Sequence, residues 1–384
     1  MSLEVDVAFL FLGGAHQVLH VAPVAAKLTR IRPHTRVACI CPDEETFDAL
    51  AEVRRQLDAP ALRINRIDPP AVAQGAARFF HNRSLIKLPL LAKLRLGLQQ
   101  ARAIVVPERT SALLRYMGWQ RPLIHFRHGA GDRAPKSENR LSAFDLVVVA
   151  GEKDIQRALQ QQHLEPERLR SCGYVKLDYL NAAQQPVSRP FADDRPIVVY
   201  NPHFDASISS LPVAREVIAR FAAQSRYHLI VAPHIRLSET MSTAEMSAWH
   251  SLAVPDHILI DLHSPHLLNM DHLRVADVYL GDMSSQLYEY LAQPRPAVFI
   301  NAHARAWHDD PRYAGWHLGE VANKPAEVLA TIDRAIAEHG ARIDLQKAAV
   351  EQAFGAYQGA SERGALIVAE ALDRELANAD GPPE

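Results

Sequence analysis

The sequence predicts an α/β protein made of two halves, each a parallel sheet wound with helices. Three observations carry that expectation. Short apolar runs alternate with apolar stripes at helical spacing, which is the rhythm of a parallel sheet. The rhythm breaks once, between Ala182 and Pro196, and then restarts. The chain has 384 residues, 48% of them hydrophobic, enough for two domains of ordinary size with a full core in each.

The elements follow in order. Val5 to Leu12 is continuously apolar, as a strand buried on both faces must be. Gly13-Gly14-Ala15-His16 is the turn after it. His20 to Thr29 carries a helical stripe of Val21, Val24, Ala25 and Leu28. Thr35 to Cys41 is the next strand and Asp43 to Leu57 the next helix. Ile104 to Val106, Pro122 to Phe126, Leu146 to Val149 and the segment near Gly173 continue the alternation. After the break, strands fall at Ile197 to Tyr200, His228 to Val231, His257 to Ile260, Val278 to Leu280 and Ala297 to Ile300. Helices are expected around Pro212 to Ala223, Ser284 to Ala292, Pro325 to His339 and Arg342 to Ala377. Residues 1–185 and 190–384 are therefore expected as two Rossmann-like domains facing a cleft. Ligands of such sheets bind at the carboxyl ends of the strands.

Bulk properties narrow the function. Charged residues are 22% and the formal net charge is −2, without the basic excess of a general nucleic-acid binder. Cys39, Cys41 and Cys172 are too few, and odd in number, for a disulfide framework. They read as reduced core thiols in a cytoplasmic protein. The apolar start follows Glu4 and Asp6 and meets Gly13-Gly14, so no signal peptide is expected. No apolar run approaches a transmembrane length. From Pro69 to Pro107 there is no acidic residue, while Arg78, Arg83, Lys87, Lys93, Arg95 and Arg102 interleave with Phe79, Phe80 and many leucines. Two readings stand for this stretch: a basic amphipathic patch meeting an anionic membrane or acceptor, or a packed helical hairpin with a solvated basic edge.

Ala276 to Leu291 is the most informative segment. A strand runs into Gly281-Asp282, then Ser284 and Ser285, then an amphipathic helix. Serine hydroxyls and free amides at a helix start suit an anion, phosphate above all, although serine caps ordinary helices too. Five other segments also close strands. His125-Phe126-Arg127-His128-Gly129 leads into a glycine-bearing turn, with Arg133 nearby. It offers His128 as a general base or as a plain turn residue. Pro233-His234-Ile235-Arg236 pairs a histidine with an arginine, which suits phosphate or an exposed loop. Asn201 to Ser210 contains His203 and Ser209 and either meets the donor or caps the next helix. Gly13, Gly14 and His16 let a ligand approach the backbone closely, but they form neither a dinucleotide fingerprint nor a P-loop. His303, Trp307, His308, Trp316 and His317 crowd one loop, with no zinc spacing, and read best as partly buried residues.

The order His128-Gly129, Pro233-His234, Asp282-Met283-Ser284-Ser285 and an aromatic-rich helix resembles the CDP-glycerol glycerophosphotransferase family. Gly173-Tyr174-Val175-Lys176-Leu177-Asp178 and Tyr313-Ala314-Gly315-Trp316 add to the resemblance, which covers roughly residues 120 to 340. Ala130 stands where that family usually has Thr, and Met283 where it often has Tyr. The resemblance implies the two-Rossmann GT-B fold, with an acceptor-side first half and a nucleotide-donor-binding second half. It implies His128 as the acceptor-side base and His234 as a donor-side histidine near the pyrophosphate. Ser284 and Ser285, with Asp282 and Arg236, would cradle the donor phosphates. Gly13, Gly14, His16, Gly129, Arg133, His203 and Ser209 would line the cleft. The implied partners are a CDP-linked or other nucleotide-diphosphate donor and a glycan, polymer or lipid-linked acceptor, with no metal or cofactor. A GT-B glycosyltransferase using a UDP- or CDP-sugar is the alternative. A UDP-sugar 2-epimerase and a non-catalytic nucleotide- or polymer-binding module are the others.

Overall fold

The computed structural model describes residues 3–71, 84–129, 138–162, 164–183 and 186–379. The chain divides into two compact units. Unit 1 is Met1–His128, Pro135–Gln184 and Gln352–Glu384; unit 2 is Gly129–Ala134 and Gln185–Glu351.

Unit 1 is built on seven strands: β1 (Val7–Leu10), β2 (Val37–Cys41), β3 (Arg63–Arg66), β4 (Ala103–Val106), β5 (Leu123–Phe126), β6 (Leu146–Val149) and β7 (Leu169–Ser171). They lie in the order β3-β2-β1-β4-β5-β6-β7, and every pair is parallel. The central strands are buried along their length, which is why their sequences are unbroken apolar runs. β3 reads Arg-Ile-Asn-Arg because it is an edge strand with one open side, and the apolar-run criterion misses it. The helix Glu44–Gln56 starts where Asp43 accepts the amide of Thr46 at 2.8 Å.

Unit 2 has six strands: β8 (Ile197–Asn201), β9 (His228–Val231), β10 (Ile258–Ile260), β11 (Val278–Gly281), β12 (Ala297–Ile300) and β13 (Glu320–Ala322). Their order is β10-β9-β8-β11-β12-β13, again all parallel. β13, another short edge strand, is the second one the sequence pattern misses. The helix Thr243–His250, closed by a Ser242–Glu245 capping box, is missed as well, because its faces differ little in polarity.

Two expectations change at the C-terminus. Arg342 to Ala377 is not one helix: Ile343–Phe354 ends and Ala360–Ala379 begins again. Gly355, at φ 57°, supplies the left-handed residue that ends the first helix. The expected second half, 190–384, also differs from unit 2, because residues from Gln352 onward belong to unit 1. The helix Ala360–Ala379 packs along Val18–Ile31, and Asp178 takes the amides of Gly359 and Ser361 at 2.7 and 2.9 Å. Helical periodicity identifies a helix but not which sheet it covers.

No helix among the described residues is long and apolar enough to cross a membrane. Cys39, Cys41 and Cys172 are buried free thiols.

Candidate functional site

In unit 1 the chemistry collects at the carboxyl ends of β1, β4 and β5. Gly14 turns the chain after β1 at φ 113°, a conformation open to glycine and strained for other residues. The helical start that follows places His16 and, one turn on, His20. Their rings each lie 6.0 Å from the ring of His128, which follows β5. Tyr174 meets His20 edge-on at 5.4 Å. Burial holds His20 well below its ordinary value, and the charges of Lys176, His128 and His16 push the same way. Burial and these neighbours favour the neutral imidazole at His20. His125 is different. It is 3% exposed, stacked on Phe144 at 4.9 Å, and pushed down to about 3 mainly by burial. It belongs to the core.

One hydrogen bond sets what His128 can do. Its Nδ1 lies 2.7 Å from the carbonyl of Pro107 at the end of β4. A carbonyl only accepts, so Nδ1 carries the hydrogen and, in the neutral ring, Nε2 has the lone pair.

In unit 2 four adjacent strands deliver the site: His234 after β9, His203 after β8, Asp282 to Ser285 after β11, and His303 after β12. His203 and His234 both follow a proline, and the amide of His234 donates to the Pro202 carbonyl at 3.0 Å. Their rings are 5.3 Å apart. Phe204 lies 4.4 and 4.7 Å from the two, and the guanidinium carbon of the exposed Arg236 lies over the Phe204 ring, 4.3 Å from its centre. Here Nδ1 is the acceptor: it takes the amide of Asp205 at 3.0 Å in His203 and the amide of Arg236 at 3.2 Å in His234. In the neutral ring, Nε2 then carries the hydrogen.

Asp282 is completely buried beneath these loops. Its Oδ2 takes the amides of His203 and Ser210 at 2.8 and 2.9 Å, while Oδ1 has no hydrogen-bond partner among the described residues. Burial pushes its carboxyl up to about 7 against the pull of those amides. Ser284, 5% exposed, caps the helix Ser285–Tyr290 by taking the amide of Gln286 at 3.2 Å, and its own O–H remains a donor. Ser285 is half-buried at the first helical position. A Cβ on Gly129, which groups with unit 2, would sit 3.3 Å from Ser285 Oγ.

Other expected residues are placed as follows. Ser209 is fully buried and its hydroxyl takes the amide of Leu211. His303 binds the Ser209 carbonyl at 3.0 Å. Trp307 stacks on His308 at 3.9 Å, and both line a pocket of about 430 Å³ along the edge strand β13. Arg133, Arg78, Arg83, Phe79 and Phe80 lie outside the described residues. Among the described residues no group of three or more His, Cys, Asp or Glu is placed to hold a metal ion. Sequence reasoning missed His20 and gave His203 no partner. The doublet Pro202-His203 and Pro233-His234, each ending a strand, was the signal that linked the last two.

Two doubly wound parallel sheets with their polar loops at the carboxyl ends define a protein of the GT-B fold. Solved structures similar to it include a putative UDP-N-acetylglucosamine 2-epimerase from Listeria monocytogenes, with TM-score 0.66 and 13% identity over 100% of this chain and 99% of that one. S. aureus MnaA with UDP has TM-score 0.63 and 12% identity, over 99% of each chain. The wall teichoic acid polymerase TagF, as its H548A variant, has TM-score 0.61 and 14% identity over 98% of this chain and 90% of that one. No family model matches the sequence, and no curated protein does.

Proposed function

We propose that the protein is a transferase moving a glycerophosphate-type (alditol phosphate) group from a CDP-linked donor to a hydroxyl of a glycan or polymer acceptor. The observation that carries this reading is the division of histidine roles. His128 is held with a lone pair at Nε2, which is what a general base needs. His203 and His234 are held with a hydrogen at Nε2, which is what a phosphate oxygen needs.

In this mechanism His128 Nε2 takes the proton of the acceptor hydroxyl as that oxygen attacks the glycerol-bearing phosphorus. The bond from that phosphorus to the bridging oxygen breaks, and CMP leaves with the electron pair. His203, His234, Arg236 and the hydroxyls of Ser284 and Ser285 donate to the oxygens on which charge grows. Asp282, an anion when ionised, is a poor phosphate ligand, and its role is to hold the His203 loop by the amides of His203 and Ser210. Likeness to TagF, a wall teichoic acid polymerase, supports the reading. CMP release from CDP-glycerol, with a new phosphodiester in the product, tests it. Absence of both with a panel of polyol and glycan acceptors rejects it.

The second reading is transfer or epimerisation of a UDP-linked sugar, favoured by the likeness to a putative UDP-N-acetylglucosamine 2-epimerase. A glycosidic bond or an epimerised sugar, in place of a phosphodiester, would select it. The proposal also includes contact of residues 69–107 with an anionic membrane. On the helix Ser84–Gly97, Leu88 and Leu96 are 53% and 69% exposed, in line with Ala92 and beside Lys93. Failure to float with anionic vesicles at low salt rejects that part.

A further inference from the structure

The stretch Gly173 to Asp178 is the dock of the returning C-terminal chain. The helix Ile343–Phe354 passes from unit 2 into unit 1 between Glu351 and Gln352 and stops at Phe354. The residues after it are held closely. Gly173 turns at φ 90°, and a Cβ on it would run into the Ala356 carbonyl oxygen. Arg363 donates from Nε to the Cys172 carbonyl at 2.9 Å, and Asp178 takes the amides of Gly359 and Ser361. Tyr174 lies between these anchors. Its buried ring stacks on the fully buried Phe354, with centres 4.0 Å apart and planes 14° apart. Tyr174 also meets His20 edge-on at 5.4 Å, and His20 meets His128 at 6.0 Å. Stacked and edge-on contacts are the arrangements that ring quadrupoles favour. Four rings in succession therefore connect the end of an incoming helix to His128.

We propose that Phe354 and Tyr174 are positioning residues for His128, acting through His20. The inference rests on the reading of His128 as the base and adds the residues that hold it. The bond from Nδ1 to the Pro107 carbonyl fixes one edge of the His128 ring but lets the ring turn about that bond. The rings of His16 and His20, each 6.0 Å away and inclined at 62° and 55°, limit the turn. Tyr174 holds His20, and Phe354 holds Tyr174. Nε2 must come within hydrogen-bond reach of the acceptor hydroxyl, so a small swing of the imidazole costs rate rather than donor binding. Phe354 has no proton to give, so what passes along the four rings is position alone.

Nitrogen NMR of the full chain labelled in histidine tests this without turnover, with His128→Asn to assign the His128 signal. Wild type is expected to hold one tautomer of His128, with the hydrogen on Nδ1. Two variants break the stack from opposite sides, Phe354→Leu and Tyr174→Leu. Each is expected to lower the Nδ1–H population of His128. Each is also expected to cut kcat for CMP release about twofold to tenfold, the worth of one aromatic pair, while KM for CDP-glycerol holds. Tyr174→Phe keeps both ring contacts and is expected to match wild type in signal and in kcat. Leu372→Ala opens a buried site on the helix Ala360–Ala379, outside the four rings, and is expected to lower stability alone. An unchanged His128 signal in both leucine variants overturns the positioning role, and so does an equal change in Leu372→Ala or Tyr174→Phe. The expected NMR pattern with no CMP release from wild type overturns the transferase reading and leaves the positioning role standing.

Discussion

At the carboxyl edge of the first sheet, His128 gives its Nδ1 hydrogen to a carbonyl; at the same edge of the second, His203 and His234 take hydrogens from amides. All three follow parallel strands directly or within a few residues, so topology alone would make them equivalents. Their neighbours make them opposites. Pro107 presents a carbonyl across from His128, whereas the turns after His203 and His234 point the amides of Asp205 and Arg236 back at the rings. One residue type in one topological position has a donating Nδ1 in unit 1 and an accepting Nδ1 twice in unit 2.

Breaking the unit 1 half of that contrast should have the largest effect. His128→Asn keeps an N–H for the Pro107 carbonyl but has no basic nitrogen. Its kcat for CMP release should fall about 10²–10⁴-fold, the usual worth of a positioned general base. CDP-glycerol affinity, read by thermal shift, should hold. A fall of less than about threefold would remove His128 from the base role.

The buried titratable groups of the two units should respond to pH in opposite directions. Asp282 has a folded value of about 7 against an ordinary 3.8, so between those values the folded state holds a proton that the unfolded state has lost. Its contribution is full below the ordinary value and fades as pH rises to about 7, by about 4 kcal/mol in all. His20 is held below its ordinary 6.5, so under that value the unfolded state binds the extra proton and stability falls as pH falls. Denaturant unfolding across pH 4–8 should show the downward slope with rising pH flattened in Asp282→Asn. The loss toward low pH should be reduced in His20→Gln. An unchanged slope in Asp282→Asn would mean that its carboxyl is not the proton holder.

Within unit 2 the donor pair can be divided. His234→Ala and His203→Ala should each cost about 10²–10³-fold in kcat, the measured worth of one transition-state donor. Their Gln variants, which keep an N–H, should recover part of the loss. If Asp282 acts by holding the His203 loop, Asp282→Ala, which removes the oxygen that accepts the amides of His203 and Ser210, should mimic a weakened His203 and leave His234→Ala to add its own loss, read as kcat in a double-mutant comparison.

Much of this arrangement is readable in the sequence. The central strands were legible because burial on both faces forces continuous apolar runs, and the carboxyl-end loops because prolines, glycines and polar residues interrupt those runs. β3 and β13 were not, because an open edge permits Arg63, Arg66 and Glu320. The site residues His128, His234 and Ser284 could be picked out as types at strand ends. Their hydrogen-bond roles could not, since those depend on Pro107, Asp205 and Arg236 turning the right backbone group toward each ring. Asp282 looked like a phosphate contact because it stands two residues before a serine cap. Its burial follows from β11 lying between β8 and β12, which no local pattern reveals.

The smallest effect is the one that best separates scaffold from chemistry. Ser284 caps a helix of only six residues, too short to stand without its tertiary contacts. Removing the hydroxyl in Ser284→Ala loses the bond to the Gln286 amide and should cost about 1 kcal/mol of stability. Ser284→Asp restores an acceptor for that amide and should regain most of this, but it places a carboxylate where a phosphate would lie. The two substitutions therefore split the readouts. If the hydroxyl serves only the helix, Ser284→Asp should be as active as wild type. If it also donates to the transferred phosphate, Ser284→Asp should match wild type in denaturant midpoint while its KM for CDP-glycerol rises above that of Ser284→Ala. The order of those two KM values decides whether the helix start in unit 2 is a ligand or only the frame that holds His203 and His234 in place.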